Sequence, residues 1–343
     1  MVKYIYSVGM HKEGGLNVLN KFIFDNNEEI YYFLDERLKN KYNLKNSSFV
    51  SKFLVLRLIH ILYLSFKLKK NDHLIFLNGL PPIFKFKCNI SVVFQNANLF
   101  REFYNISFTK WLFSKDSLRF LFFYFGKKNV NSWYVFSPTA RNMLNKHIKK
   151  YINVKVINIY NEYKDIVSLN KTSEAEYDFI YPASFMEHKN HKMLINILIL
   201  LSKKKIFPKV LFTLDPNDIK KINIEELKNK YGIKLYNYYE SNQKKFIEIY
   251  KKFKSLLYIS LNETIGLPII EANKYGLFII APELEYSKQF INPDITFDIN
   301  SEKELSLIIE NCLKNNFDIE KKSKEIIILK NSITIDDFMW KVI

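Results

Sequence analysis

Short, near-continuous apolar runs alternate with longer segments of helical period along this chain, and that alternation limits the possible folds more than any other feature. "KYIYSVGM" opens the series and turns through "HKEGG" into a helical pattern. "DHLIFLNG" (72–79), "ISVVFQN" (90–96), "WYVFSP" (133–138) and "VKVINI" (154–159) follow as predicted strands. The second half repeats the theme with "YDFIYPAS" (177–184), "PKVLFTLD" (208–215), "IKLYNYY" (233–239), "SLLYIS" (255–260) and "LFIIAPE" (277–283). Between them lie helical patterns such as "HKMLINILILLSKKK" and "NQKKFIEIYKKFK". A strand that is apolar on both faces must be covered on both, and parallel strands need crossover helices. The pattern therefore predicts an α/β protein with parallel sheets.

The chain has 343 residues, too many for one ordinary core. The strand–helix series restarts near residue 177, after the polar, weakly periodic "YNEYKDIVSLNKTSEAEY" (160–177). Two Rossmann-like domains are expected, over residues 1–165 and 166–330. A tail, 331–343, is expected to form a last helix that packs back on the first domain.

Charge separates the two halves. Residues 1–170 carry a net +15 and residues 171–343 only +2, out of a total of +17. A basic half suits an anionic partner, whether a membrane surface, a nucleic acid or a phosphorylated substrate, or is simply a soluble basic surface. Two basic, aromatic-rich stretches, "FLVLRLIHILYLSFKLKK" (53–70) and residues 101–132, carry much of that charge. They read either as helices that press an apolar face into anionic headgroups or as ordinary helices covering a sheet. No apolar stretch reaches the roughly 18–20 residues of a spanning helix, and the first residues lack the apolar core of a signal peptide. Two distant cysteines, Cys88 and Cys312, make neither a disulfide framework nor a zinc site. The expectation is a cytoplasmic protein, peripheral on the inner face of the plasma membrane.

The stretch richest in chemistry is "SLNETIGLPIIEANKYG", Ser260–Gly276. It follows a predicted strand, and ligands of open parallel sheets bind beyond the C-terminal ends of strands. Gly266 permits close backbone approach, and Pro268 fits a first helical turn. The helix N-terminus they start offers N–H groups and a positive dipole to a phosphate. Glu263 sits in the loop. Glu271 sits one turn into an apolar helix, where an unpaired carboxylate would be costly. It needs hydroxyl donors, and a sugar would supply them.

Ser260, Glu263, Gly266-Leu267-Pro268, Glu271-Ala272 and Gly276 together resemble the E-x7-E signature of retaining glycosyltransferases of the two-Rossmann GT-B architecture, the family 4-like group. The resemblance covers most of 177–300 and the first domain only loosely. It implies two domains with parallel sheets facing across a cleft and a nucleotide diphosphate sugar as donor. Glu263 would contact the donor sugar near the reacting centre, and Glu271 would accept hydrogen bonds from ribose hydroxyls. Residues Thr264, Ile265, Gly266 and Leu267 would give backbone N–H groups to the diphosphate or sugar. Lys189 matches the family's diphosphate lysine. Ser184 stands where the family has an arginine, a departure that leaves a hydroxyl in place of a charge. His188 either assists the phosphates or caps a helix. Glu187, His188 and His191 as a zinc site is a weak alternative. Gly14 and Gly15 match a glycine-rich loop after the first strand that faces the donor phosphate. His11, Gln95 and Asn96 fall on the acceptor side, where the family's histidine is missing. Ser137 and Thr139 match a strand end, or are helix caps.

The resemblance implies a hexosyl- or N-acetylhexosaminyl-type transferase that retains anomeric configuration. There is no Asp-x-Asp pair in the sequence, so no metal and no other cofactor is expected. The expected acceptor is a glycan or glycolipid, a lipid-linked bacterial surface glycan such as lipopolysaccharide or capsule. A non-catalytic transferase-like subunit and a basic nucleic-acid-binding protein are the alternatives. No nucleic-acid recognition motif is present, so no nucleic-acid partner is expected.

Overall fold

The computed structural model describes residues 2–11, 13–24, 28–95, 99–100, 112–113, 115–148, 153–159, 175–240, 248–315 and 332–342. Asn96, all of 101–111 and most of the expected linker lie outside them. The chain forms two compact units, Met1–Ile159 with Lys330–Ile343, and Tyr160–Leu329.

Unit 1 begins with β1 (Lys3–Tyr6), α1 (Glu13–Lys21), β2 (Ile30–Asp35), β3 (Ser47–Val50), α2 (Leu54–Lys67) and β4 (His73–Phe76). It continues with β5 (Asn89–Val93), α3 (Lys115–Gly126), β6 (Ser132–Val135), α4 (Pro138–Asn145) and β7 (Val154–Asn158). Unit 2 holds β8 (Tyr177–Tyr181), α5 (His191–Lys203), β9 (Val210–Phe212), α6 (Ile224–Tyr231) and β10 (Leu235–Asn237). After these come β11 (Phe253–Leu257), α7 (Leu267–Lys274), β12 (Phe278–Pro282), α8 (Glu285–Lys288), β13 (Ile295–Phe297) and α9 (Glu302–Lys314). The chain then returns to unit 1 with β14 (Ser332–Thr334) and a π-helical turn, Asp337–Val342.

All strand pairs in both sheets are parallel. The orders are β14-β7-β6-β5-β4-β1-β2-β3 and β10-β9-β8-β11-β12-β13. In each sheet the chain winds outward in one direction and then in the other. The reversal falls between β1 and β4 in unit 1 and between β8 and β11 in unit 2. Doubly wound sheets bind ligands at such switch points, beyond the carboxyl ends of the flanking strands. The central strands are buried along their length, as in β4 and β12, which is why their sequences show no alternation.

Four strands fall outside the sequence reading: β2, β3, β13 and β14. Three of them are sheet edges, short and half-polar, so they lack the apolar run that marks a covered strand. β2, "IYYFLD", is interior, but its paired tyrosines and final Asp weaken the same signal. "WYVFSP" is also shorter than read. The strand stops at Val135, Ser137 caps α4 by accepting from Ala140 N at 3.1 Å, and Pro138 begins the helix.

The tail differs from a plain helix. Its first residues extend the sheet as β14, and only then does it coil. Phe338 packs edge-on against Tyr134 and Phe22, with ring centroids 4.5 and 5.9 Å apart. Lys3 donates to the Met339 carbonyl at 2.5 Å and lies 4.5 Å from the Trp340 ring.

Candidate active site in unit 2

Two loops meet at the unit 2 switch point. One follows β8 and coils into a 3-10 turn, Glu187–Lys189, before α5. The other follows β11 and runs into α7. The backbone locks them together. The His188 carbonyl accepts from Leu261 N at 2.7 Å and from Ser260 Oγ at 3.2 Å. Tyr181, at the end of β8, donates to the Lys189 carbonyl. Lys189 therefore projects from a turn held on both sides.

The Lys189 ammonium pairs directly with Glu263 Oε1, both side chains being largely buried. Tyr258 donates to the same oxygen at 2.8 Å. Tyr258 in turn packs edge-on against Tyr181 and Tyr286, at 6.0 and 6.2 Å between centroids. Burial pushes the Glu263 carboxyl upward, but the Lys189 charge and hydrogen bonds from Lys189, Ser260 and Tyr258 outweigh it, so the group lies below its ordinary range. Glu263 is a carboxylate at neutral pH. Sequence reasoning placed Lys189 and Glu263 on the same ligand; it did not foresee that they pair with each other across 74 residues.

Gly266 starts α7 in the left-handed region, φ 73°, and a Cβ there would lie 3.3 Å from the Tyr286 ring. The backbone angle strains any other residue, and a Cβ would also make the ring give by a few tenths of an ångström. Gln289 Nε2 donates to the Thr264 and Ile265 carbonyls, each at 3.0 Å, which turns those carbonyls toward α8. Pro268 occupies the first turn of α7, where the missing N–H costs nothing. At the other end Leu277 N bonds the Ala272 carbonyl at 3.0 Å and Gly276 N the Asn273 carbonyl at 2.9 Å, with Gly276 at φ 62°. This is a Schellman stop, and it accounts for the glycine that closes the motif.

Glu271 is buried in α7, and its Oε2 accepts from Tyr250 at 2.9 Å. This corrects the sequence argument in one respect. A hydroxyl donor is present as expected, but at this oxygen the chain itself supplies it. Tyr250 stacks on Tyr275, planes 2° apart, and Tyr275 reaches Glu248 at 3.3 Å. Nothing in the spacing of the motif announced Tyr250, which lies 21 residues upstream.

His188 and His191 are not cations at neutral pH. His191 is packed against Tyr181, Phe185 and Phe212, and burial, with the Lys189 charge, lowers its pKa to about 4. His188 is lowered by burial and by Lys189, against an opposing pull from Glu263. His188 can hydrogen-bond an anion but does not neutralise one. Ser184 is half-buried in the loop after β8. Among the described residues no group of three or more His, Cys, Asp or Glu side chains is placed to hold a metal ion.

In unit 1 the positions differ from expectation. Gly14 and Gly15 do not form a loop; they lie in the first turn of α1. A Cβ on Gly14 would meet nothing, and one on Gly15 would make ordinary contact with Met10 at 3.6 Å. The glycine that the turn needs is Gly9, at φ 103°. Its N–H donates to Asp35 Oδ2 at 2.8 Å. His11 Nδ1 lies 3.1 Å from the Gly9 carbonyl, and Gln95 donates to the Leu77 carbonyl at 2.5 Å.

No protein-family model and no curated protein sequence matches the chain. Solved structures do. TarM superposes with a TM-score of 0.57 at 16% identity, over 75% of this chain and 51% of TarM, so the chain spans about half of that protein's length. Sucrose-phosphate synthase from Thermosynechococcus elongatus gives 0.66 at 13% identity, over 92% of this chain and 90% of that one. Anabaena HepE, in complex with UDP-glucose, gives 0.65 at 11% identity, over 92% and 91%. With two parallel sheets, each wound to both sides of its own switch point, the chain has the GT-B fold.

Proposed function

We propose that the chain is a glycosyltransferase that takes a sugar from a nucleotide diphosphate donor and retains its anomeric configuration. The observation that carries this is the Lys189–Glu263 pair at the unit 2 switch point, beside the glycine-started N-terminus of α7. The E-x7-E resemblance and the fold shared with HepE, which was solved with UDP-glucose, support the same reading.

In the reaction the bond from the anomeric carbon to the diphosphate oxygen breaks, and its electron pair stays on the diphosphate. Lys189 has three N–H donors, so it can hold that oxygen while keeping Glu263. The N–H groups of residues 264–267 and the positive end of α7 add to the stabilisation, and His188 and Ser184 contribute uncharged hydrogen bonds. Glu263, kept ionised, faces the sugar and offsets positive charge growing at the anomeric centre. Glu271, held by Tyr250, orients the ribose. An acceptor hydroxyl attacks the face the leaving group departs from and passes its proton to the departing diphosphate, so configuration is retained.

Charge on the leaving group is thus met by a lysine and backbone dipoles, with no metal. The acceptor we infer is a lipid-linked bacterial surface glycan at the cytoplasmic face of the membrane. Release of labelled sugar from a nucleotide diphosphate sugar to such an acceptor tests the reading. Turnover should be unchanged in excess EDTA; loss that added divalent cation restores would overturn the metal-free route, and absence of turnover with every donor would overturn the reading itself.

A further inference from the structure

Three buried tyrosines meet at the Lys189–Glu263 pair. Tyr181 ends β8, Tyr258 follows β11 directly and Tyr286 lies in α8. Their rings pack edge-on in a row, with Tyr258 in the middle. Packing alone does not ask for tyrosine, because phenylalanine fills nearly the same space without a hydroxyl to satisfy. The hydroxyls are accounted for by what they bond. Tyr181 donates to the Lys189 carbonyl and Tyr286 to the Ser260 carbonyl at 2.5 Å, so each ties down one of the two loops. Tyr258 differs. It donates at 2.8 Å to Glu263 Oε1, the oxygen that also holds the Lys189 ammonium, and that ammonium lies 6.0 Å from the centre of its ring. One uncharged side chain therefore borders both charged groups of the site.

The two partners of Glu263 Oε1 are not equivalent during transfer. Lys189 carries a charge for which a bound diphosphate competes. A diphosphate also brings negative charge toward Glu263, and like charge favours the protonated acid. Tyr258 carries no charge. Burial first, and then the neighbouring Glu263 carboxylate, push its pKa well above the ordinary tyrosine value, so the hydroxyl stays a donor. Tyr258 is fully buried between Tyr181 and Tyr286, so a ligand anion does not draw it away.

We propose that Tyr258 is a positioning residue for the transfer: its hydroxyl keeps Glu263 Oε1 in place while the Lys189 ammonium turns to the leaving diphosphate, and Tyr181 and Tyr286 fix the ring that carries it. The proposal rests on the glycosyltransferase reading. Tyr258 acts through Glu263 and does not meet the substrate itself.

Tyr258→Phe tests it, with Tyr181→Phe and Tyr286→Phe for comparison, since each removes one buried hydroxyl and keeps the ring. A hydrogen bond to a charged group is worth roughly tenfold or more in an equilibrium, so kcat for sugar transfer should fall about tenfold in Tyr258→Phe, with KM for the donor little changed. The lost donor raises the Glu263 pKa, so the acid limb of the pH–rate profile should move to higher pH. In Tyr181→Phe and Tyr286→Phe that limb should stay at its wild-type position, because neither hydroxyl bonds the carboxylate. Infrared titration reads the same carboxylate without turnover, its band identified by its loss in Glu263→Gln. Protonation should begin at higher pH in Tyr258→Phe alone. An unmoved limb or an unmoved band in Tyr258→Phe, or the same displacement in all three variants, would overturn the proposal. A wild type that turns over no nucleotide sugar would remove the transferase reading and this role with it. Wild-type turnover with an unmoved limb in Tyr258→Phe would remove the role alone.

Discussion

Replacing Lys189 by Ala should lower turnover by about a hundredfold or more, the scale seen when a preorganised donor to a developing anion is removed. The same change alters Glu263. With the ammonium gone, burial is opposed only by the Ser260 and Tyr258 hydrogen bonds, so the Glu263 pKa should rise. The acid limb of the pH–rate profile should therefore move to higher pH. A lysine with only a structural role would lower the amount of folded protein without moving that limb. Lys189→Arg should restore part of the rate, since it returns the charge with different geometry. Near-wild-type turnover in Lys189→Ala would reject the leaving-group role. The pair also has a stability signature. The depressed Glu263 pKa gives a contribution that is present above the unfolded-state carboxylate pKa and is lost as pH falls through the folded one.

The largest expected loss of stability lies in unit 1, at Asp35. Its side chain is fully buried. It accepts from Arg37 Nε and NH2 at 2.7 and 2.8 Å, from Arg57 NH2 at 3.1 Å and from Gly9 N at 2.8 Å. Burial pushes its pKa up, but the Arg37 and Gly9 hydrogen bonds and the Arg37 charge bring it down to about 2. Asp35→Ala leaves two guanidiniums and the Gly9 N–H without this acceptor. Breaking a buried ion pair costs roughly 3–5 kcal/mol; Arg37 is 36% exposed and can turn to water, so about 3 kcal/mol is expected. The native Asp35 contribution should be full above about pH 4 and fade as pH falls toward 2. Urea unfolding followed by tryptophan fluorescence isolates this unit, because Trp111, Trp133 and Trp340 all belong to it. An unchanged midpoint in Asp35→Ala would contradict the assignment.

Sequence and structure agree best where one physical constraint acts along the chain. Covered parallel strands must be apolar on both faces, so β4, β8, β11 and β12 were legible as runs. A helix that starts and stops at left-handed glycines leaves a local trace, so Gly266, Pro268 and Gly276 were legible too. Edge strands such as β14 bear only half of that constraint and left no run. Contacts made in three dimensions left no trace at all. Tyr250 on Glu271, Tyr258 on Glu263 and both arginines on Asp35 join residues whose spacing encodes nothing. The Gly14-Gly15 pair shows the opposite failure. Two adjacent glycines suggest a loop by composition, yet the positive φ that glycine alone tolerates well falls at Gly9, five residues earlier.

The central claim is that unit 2 holds a nucleotide diphosphate sugar through Lys189, Glu263 and Glu271. Scanning calorimetry against a panel of nucleotide diphosphate sugars tests it most directly, because a ligand at 100 times its Kd stabilises the folded unit by about 2.7 kcal/mol. At least one donor should raise the unit 2 transition by several degrees, and Glu271→Ala and Lys189→Ala should each diminish that shift. A transition that no nucleotide sugar moves, or one moved equally in both variants, would contradict the account.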